Sequence, residues 1–233
     1  KTVDSSTYSI VELITRGNVL YIRKQDRPFY LDSSGNVQTL VQETEHMAVA
    51  LDGNKSAAFL DDIFMQWGSQ SILQLDTSAG VPVWVTPAKY VTGLSAYNGV
   101  VQALAADEEY LFALCDNSTK AEILAGHNEE VDGVTAWLWH PIQEITITGV
   151  QTAYVSNVYA KRLWITSTTE TEAIQWIPLT TQYGSIEADT TYAYLTGGYF
   201  ISSWHHLNFK GDTKAFIKIT LTQGGNTSAK YWS

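Results

Sequence analysis

The stretch EYLFALCDNSTKAEILAG, residues 109–126, decides the fold. It consists of two short apolar runs separated by a polar turn, and this pattern is typical of a β-hairpin. Helical spacing of apolar residues is nearly absent from the chain, which argues against an α-helical fold. The hairpin is not isolated, because the same unit recurs along the sequence.

The hairpin unit occurs four times. Aligning Leu20, Phe64, Leu111 and Leu163 places the copies 44, 47 and 52 residues apart. This spacing is close to the period of about 40–50 residues that is typical of a four-stranded propeller blade. Apolar segments flank every hairpin, so each copy has candidates for four strands. The copies are NVLYIRKQDRPFYLD from residue 18, DIFMQWGSQSILQLD from residue 62, the opening stretch, and KRLWITSTTETEAIQWIP from residue 161.

The repeat predicts an all-β fold, a β-propeller-like array of four-stranded antiparallel blades. One such sheet cannot bury both of its faces alone, whereas stacked sheets cover each other. We expect about four blades in residues 1–196. Residues 197–233 contain the alternating strand AFIKITLT and are expected to close the ring or to start a following β-sandwich. A jelly roll or sandwich is the alternative, although it would not be expected to space its hairpins so evenly.

Composition and charge argue against several classes of function. The net charge of −10 and the pI of about 4.8 disfavour binding to nucleic acid or to an anionic membrane. No apolar run approaches the roughly 18–20 residues of a membrane helix, and no signal peptide leads the chain, so a soluble protein without membrane insertion is expected. Cys115, the single cysteine, is expected to be buried and inert.

The second half of the chain resembles a known class of proteins. The opening stretch with WLWHPIQEI, followed by KRLWITSTTETEAIQWIPL and then TGGYFISSWHHLNFKGDTKAFIKITL, is similar to propeller-bearing tail or virion structural proteins of tailed bacteriophages. The resemblance implies a component of the phage particle, in a tail or host-contact apparatus. It implies that the partners are other virion proteins or copies of the chain itself. These motifs carry no catalytic signature.

Two aromatic residues of the third copy are candidate ligand-binding residues. Trp137 and Trp139 are two positions apart on a predicted strand, so they share one face, and His140 follows them. Such a pair can form a platform on which a sugar stacks. Packing between neighbouring blades is the interpretation we favour, because large aromatic rings dominate the cores of such folds.

A second candidate contact surface consists of Trp204, His205 and His206, which are followed by a polar loop. Adjacent histidines on a strand point to opposite faces, so the pair is poorly arranged to bind one metal ion. A loop-borne contact surface or a packed corner suits these residues better.

Acidic residues stand just before the second strand of two copies. They are Asp61-Asp62 and Asp107-Glu108-Glu109, whereas the other copies have Asn18 and Lys161 at this position. A glycosidase needs two carboxyl groups that converge on one cleft, about 5–10 Å apart. Because the position is not acidic in every copy, we expect solvated turns, and we expect no enzyme.

Motifs for cofactors and metals are not found in the sequence. It contains neither a P-loop nor a dinucleotide fingerprint. The segments Asp32-Ser-Ser-Gly-Asn36 and Asp52-Gly-Asn54 fit ordinary Asx and glycine turns better than calcium loops. We therefore expect no cofactor and no bound metal.

These observations predict a non-enzymatic structural or host-contact protein that acts through rigid shape and multivalent contacts. Two alternatives stay open. A propeller lectin would bind a host-surface glycan and would carry matching aromatic and polar pockets in successive blades. A propeller glycosidase or lyase would carry a pair of carboxylates or a tyrosine at the central channel.

Overall fold

The structure is a computed structural model that describes residues 3–4, 7–41, 55–68, 71–75, 82–85, 99–131, 133–168 and 174–182. The chain divides into two compact units, Lys1–Leu179 and Thr180–Ser233, and every described strand belongs to the first unit. The predicted boundary after residue 196 and the segment 197–233 lie outside the described residues and stay predictions.

The described secondary structure is β-strand throughout, which confirms the predicted all-β class, and it forms four sheets. Sheet A comprises β1 (Ile10–Arg16), β2 (Val19–Lys24), β3 (Pro28–Leu31) and β4 (Val37–Thr39). Sheet B comprises β5 (Ser56–Phe59), β6 (Asp62–Trp67), β7 (Ser71–Leu75) and β8 (Pro82–Trp84). Sheet C comprises β9 (Val100–Ala106), β10 (Leu111–Asp116), β11 (Ala121–Val131) and β12 (Val134–Ile145). Sheet D comprises β13 (Val150–Ser156), β14 (Arg162–Ser167) and β15 (Ile174–Pro178).

Each sheet is an antiparallel meander in which strands that follow each other in the chain pair side by side. The four predicted hairpins are confirmed as the pairs β2–β3, β6–β7, β10–β11 and β14–β15. Three of the sheets have four strands, as the repeat predicts. The fourth strand predicted for sheet D lies outside the described residues.

The turn between β1 and β2 shows why the chain reverses where it does. Gly17 and Asn18 both have positive φ angles, 54° and 64°, and Arg16 pairs with Val19 across the turn. Two central residues with positive φ define a type I′ turn, whose twist matches that of the flanking strands. Glycine and asparagine are the residues that adopt this conformation most readily.

The sheets stack face to face in chain order. On β10, Leu111 and Ala113 pack against sheet B, whereas Phe112 and Leu114 pack against sheet D. We call the face of a sheet that points to the preceding sheet in the chain its backward face, and the opposite one its forward face. Both faces of sheet C are therefore buried around β10, which explains why this strand reads as a continuous apolar run instead of an alternating one.

Sheet B is also covered on both faces. Ile63 and Met65 pack with Tyr21 of sheet A, whereas Phe64 packs with Leu111 of sheet C. The sequence alignment of Phe64 with Leu111 is therefore wrong by one residue, because Phe64 lies on a forward face and Leu111 on a backward face. On β6 the residues that lie on the backward face, as Leu111 does on β10, are Ile63 and Met65.

The first strands of successive sheets lie next to one another. Strand β1 contacts β5, β5 contacts β9, and β9 contacts β13. The sheets are thus joined both through their apolar faces and along the row of their first strands. Within the described residues they do not close into a ring.

We predict that Phe112→Ala strongly destabilises the fold, because it leaves a cavity between sheets C and D. The expected loss is about 3–5 kcal/mol in the free energy of unfolding, the usual range for truncating a buried phenylalanine. Urea unfolding followed by circular dichroism measures it. The control is Val134→Ala on β12. The Val134 side chain is 65% exposed, so this substitution should change the free energy of unfolding by less than about 0.5 kcal/mol. Equal, small effects of both substitutions would contradict the stacking of these sheets.

Candidate functional site

Trp137 and Trp139 lie on β12 and pack against sheet B. Their rings stack on each other, with centroids 5.9 Å apart and an angle of 28° between the planes, so the prediction that they share a face is confirmed. The Trp137 Nε1 group donates a hydrogen bond to Gln74 Oε1 at 3.1 Å. The Trp139 Nε1 group donates to the carbonyl oxygen of Val85 at 2.8 Å. Both indole N–H groups are thus used inside the protein.

The packing around this pair joins sheets B and C. Trp137 makes edge contacts with Phe59 and Phe64, at centroid distances of 6.2 and 5.1 Å. Trp139 lies directly over Gly126 of β11, where a Cβ atom would come within 2.6 Å of the indole ring. Only glycine leaves room for the ring at this position. The structure therefore gives the pair a packing role, and a ligand contact at these two residues stays a prediction.

His140 lies on the other face of the β11–β12 hairpin and is exposed. Its ring stacks on His127, with centroids 5.6 Å apart, and the edge of Tyr110 contacts His127 at 5.2 Å. His127 Nε2 is 3.3 Å from Glu129 Oε2. Burial, together with the nearby carboxylates of Glu109, Asp107 and Glu129, raises the pKa of the Tyr110 hydroxyl above its usual value.

His127 and Tyr110 are not among the residues that the sequence patterns single out. The register of the β11–β12 pair brings His127 close to His140. His140 pairs with Ala125, and His127 lies two residues after Ala125 on the same face of β11. Trp204, His205 and His206 lie outside the described residues, so their contact surface stays a prediction. Among the residues that are described, no three His, Cys, Asp or Glu side chains are grouped as metal ligands would be.

The acidic turns contact basic residues of neighbouring sheets. Asp61 is exposed and pairs with Arg16 of sheet A at 3.2 Å. Asp107 and Lys161 are both almost fully buried and lie 2.9 Å apart, while the exposed Glu108 contacts the same ammonium group at 2.7 Å. The expected solvated turn is wrong for Asp107, because Lys161, directly before β14 of sheet D, provides a buried partner.

The segment from Asp32 to Asn36 forms the Asx turn that its sequence predicts. Asp32 Oδ1 accepts hydrogen bonds from the backbone N–H groups of Ser34 and Asn36, at 2.9 and 2.7 Å. The bond from Asn36, together with one from the Gln38 side chain, lowers the pKa of the Asp32 carboxyl below its usual value. The second proposed turn, at residues 52–54, lies outside the described part of the chain.

A buried arginine joins sheets A and B. The Arg23 side chain is fully buried, and its guanidinium donates hydrogen bonds to the carbonyl oxygens of Lys55 and Gln66, each at 2.8 Å. It also lies 5.2 Å from the centre of the Trp67 ring and 3.6 Å from Glu12 Oε2. These contacts satisfy a charge that would be costly to bury without partners.

Burial also shifts the pKa values of the two groups beside Arg23. It raises the pKa of the Glu12 carboxyl, although the guanidinium of Arg23 opposes that change. It lowers the pKa of the Lys55 ammonium, although the charge of Glu12 opposes that change. Such shifts occur at functional sites and in structural ion-pair networks alike. Here the groups lie between two packed sheets, so the structural role accounts for them.

The chain matches no protein-family model and no curated protein. In the residues that the structure describes, no helix has the length and apolar character needed to cross a membrane. Several of these side chains, namely Arg23, Trp137, Trp139 and Lys161, join one sheet to the next, whereas the His127–His140 contact and the Asp32 turn lie within one sheet. The arrangement is suited to holding a stack of sheets rigid and to presenting its outer surfaces.

We predict that Arg23→Met destabilises the protein far more than Arg16→Met, although both arginines connect sheets A and B. The first substitution removes two buried hydrogen bonds and the cation beside the half-buried Glu12 carboxylate, at an expected cost of about 3–5 kcal/mol. The second removes an ion pair whose carboxylate is fully exposed, for which about 1 kcal/mol or less is expected. Thermal and urea unfolding of the two variants measure the difference. Similar losses for both would contradict the role assigned to Arg23.

Proposed function

We propose that this chain is a non-enzymatic structural or host-contact protein, a section of a β-propeller that serves as a rigid scaffold in the tail of a phage virion. The observation that carries the proposal is the stacking of meander sheets in chain order with their first strands side by side. In a propeller, the first strands of successive blades surround a common axis, and each blade packs on the next. The virion assignment comes from the resemblance of the second half of the sequence.

The connections between the sheets support a scaffold role. Arg23, Trp139 and Lys161 each reach from one sheet to the next and bind a polar group there. Three interfaces joined in this way resist sliding of one sheet over another, since each sliding motion would leave a buried polar group without its partner. Rigidity of this kind suits a protein that transmits force or displays contact surfaces at fixed positions.

The enzyme and lectin alternatives receive less support from the described residues. The carboxylates of Asp61, Asp107 and Glu108 are engaged by cations of neighbouring sheets instead of facing a common cleft. The N–H groups of Trp137 and Trp139 are already used in internal hydrogen bonds, so they are not available to a sugar. We therefore retain the structural role as the proposed function.

The test is the protein composition of purified particles of the phage that carries this gene. We expect mass spectrometry to find the chain in density-gradient-purified virions, at a constant ratio to the tail proteins. The major capsid protein is the positive control, and an early replication protein is the negative control. Recovery of the chain only from the soluble fraction of the lysate, like the negative control, would overturn the virion role.

A further inference from the structure

The forward face of sheet D carries an exposed row of aromatic side chains. Tyr154, Trp164 and Trp176 are direct neighbours across β13, β14 and β15, and we call them the aromatic row. Tyr154 is 70% exposed and Trp176 is 45% exposed. The backward face of the same sheet, with Leu163 and Ile165, is buried against sheet C. An exposed apolar patch of this kind marks an interaction surface.

Arg162 lies beside the aromatic row, two residues before Trp164 on the same face of β14. The central carbon of its guanidinium is 3.8 Å from the centre of the Trp176 ring and 5.8 Å from that of the Trp164 ring. Stacking on an aromatic ring holds the planar guanidinium in a fixed orientation. Its N–H donors are therefore pre-organised to bind a carboxylate through two parallel hydrogen bonds.

Arg162 differs from the other arginines of the chain in its charged neighbours. Each of the other three has a carboxylate oxygen within 3.6 Å, and these pairs are Arg16–Asp61, Arg23–Glu12 and Arg27–Asp4. The described residues provide no carboxylate and no hydrogen bond for Arg162, whose Nε atom is buried without a partner among them. This guanidinium is therefore able to accept an anionic partner from outside.

The charge of the surrounding face is complementary to an anion. None of the residues that pair across β13, β14 and β15 on this face is acidic, although the chain as a whole has a net charge of −10. A negatively charged ligand thus meets one cation here and no competing carboxylate on the strands themselves. Complementary charge of this kind selects the partner of a surface.

The form of the face favours a sugar chain over a peptide. Neighbouring strands are about 4.8 Å apart, so the aromatic row extends over about 10 Å and offers flat rings one after another. Sugar rings have apolar C–H faces, which stack on aromatic rings, and a rim of hydroxyl groups. The hydroxyls of Thr152, Ser156 and Thr166 flank the row on the same face, where they can donate and accept hydrogen bonds.

We propose that the forward face of sheet D binds an acidic glycan, a sugar chain that carries carboxylate groups. Its rings stack on the aromatic row, chiefly on the exposed Tyr154, and a carboxylate binds the guanidinium of Arg162. The inference rests on the host-contact part of the proposed function and deepens it by naming the chemical class of the partner. It assigns the contact to one face of one sheet, without a repeated pocket in the other sheets.

The test is isothermal titration calorimetry of the full chain with two acidic oligosaccharides, tetragalacturonic acid and an α2,8-linked trimer of sialic acid. The methyl ester of each is the matched ligand control, because it keeps the sugar rings and removes the charge. We expect at least one acid to bind with a dissociation constant below about 1 mM. Its ester should bind at least about tenfold more weakly, since hydrogen bonds between charged groups are the strong ones. The acid that binds more tightly identifies the source of the carboxylate as uronic or sialic.

Single substitutions separate the two parts of the recognition. Arg162→Gln should remove the preference for the acid over its ester, because the charge that reads the carboxylate is lost. Tyr154→Ala should weaken the acid and the ester by the same factor, because it removes a stacking ring and no charge. The matched control is Arg16→Gln on sheet A, which changes another partly exposed arginine and should leave both affinities unchanged. Circular dichroism and melting curves verify that every variant is folded.

Three results would overturn the proposal. The first is that neither acid binds, which is expected if a protein surface covers this face. The second is equal binding of acid and ester by the wild type. The third is a hexaglutamate peptide that binds as tightly as the sugar acids, because the face would then recognise carboxylates without a sugar. These outcomes are separate from the particle analysis, since the calorimetry uses the purified chain and the protein composition of the virion does not depend on it.

Discussion

Burial of both faces of sheets B and C is the constraint on which the rest of the structure depends. Strand β10 places Leu111 on one face and Phe112 on the other, and each needs an apolar partner outside its own sheet. One four-stranded sheet has no means of supplying both partners, so the sheets must stack. The chain-order sequence of sheets follows, because each meander emerges next to the one before it.

Polar side chains fix how the stacked sheets are positioned. Apolar burial alone is non-directional and leaves neighbouring sheets free to slide. Each of the three described interfaces contains at least one buried or half-buried polar side chain that reaches across it, such as Arg23 between A and B, Trp139 between B and C, and Lys161 between C and D. Arg23 lies on β2, Trp139 lies on β12 and Lys161 comes directly before β14, so the connections do not occupy one equivalent position of the repeat.

The strands and hairpins could be predicted because turn chemistry and apolar runs are local signals, as in the stretch 109–126. The face on which Phe64 lies could not be predicted, since β6 is apolar at nearly every position and offers no alternation to follow. The buried ion pair of Asp107 with Lys161 could not be predicted from the sequence either, because the two residues are far apart in the chain and no local pattern connects them. For Trp137 and Trp139 the shared face was predictable, whereas the acceptors of their N–H groups depend on how sheet C meets sheet B.

Native-state hydrogen exchange tests the stacking most directly. Amides in the central strands of a sheet exchange most slowly where both faces of that sheet are covered. We therefore expect the slowest exchange in β6 and β10, at rates that report global unfolding, and faster exchange in β14, where buried and partly exposed residues alternate. Protection in β14 that equals or exceeds that in β10 would contradict the account.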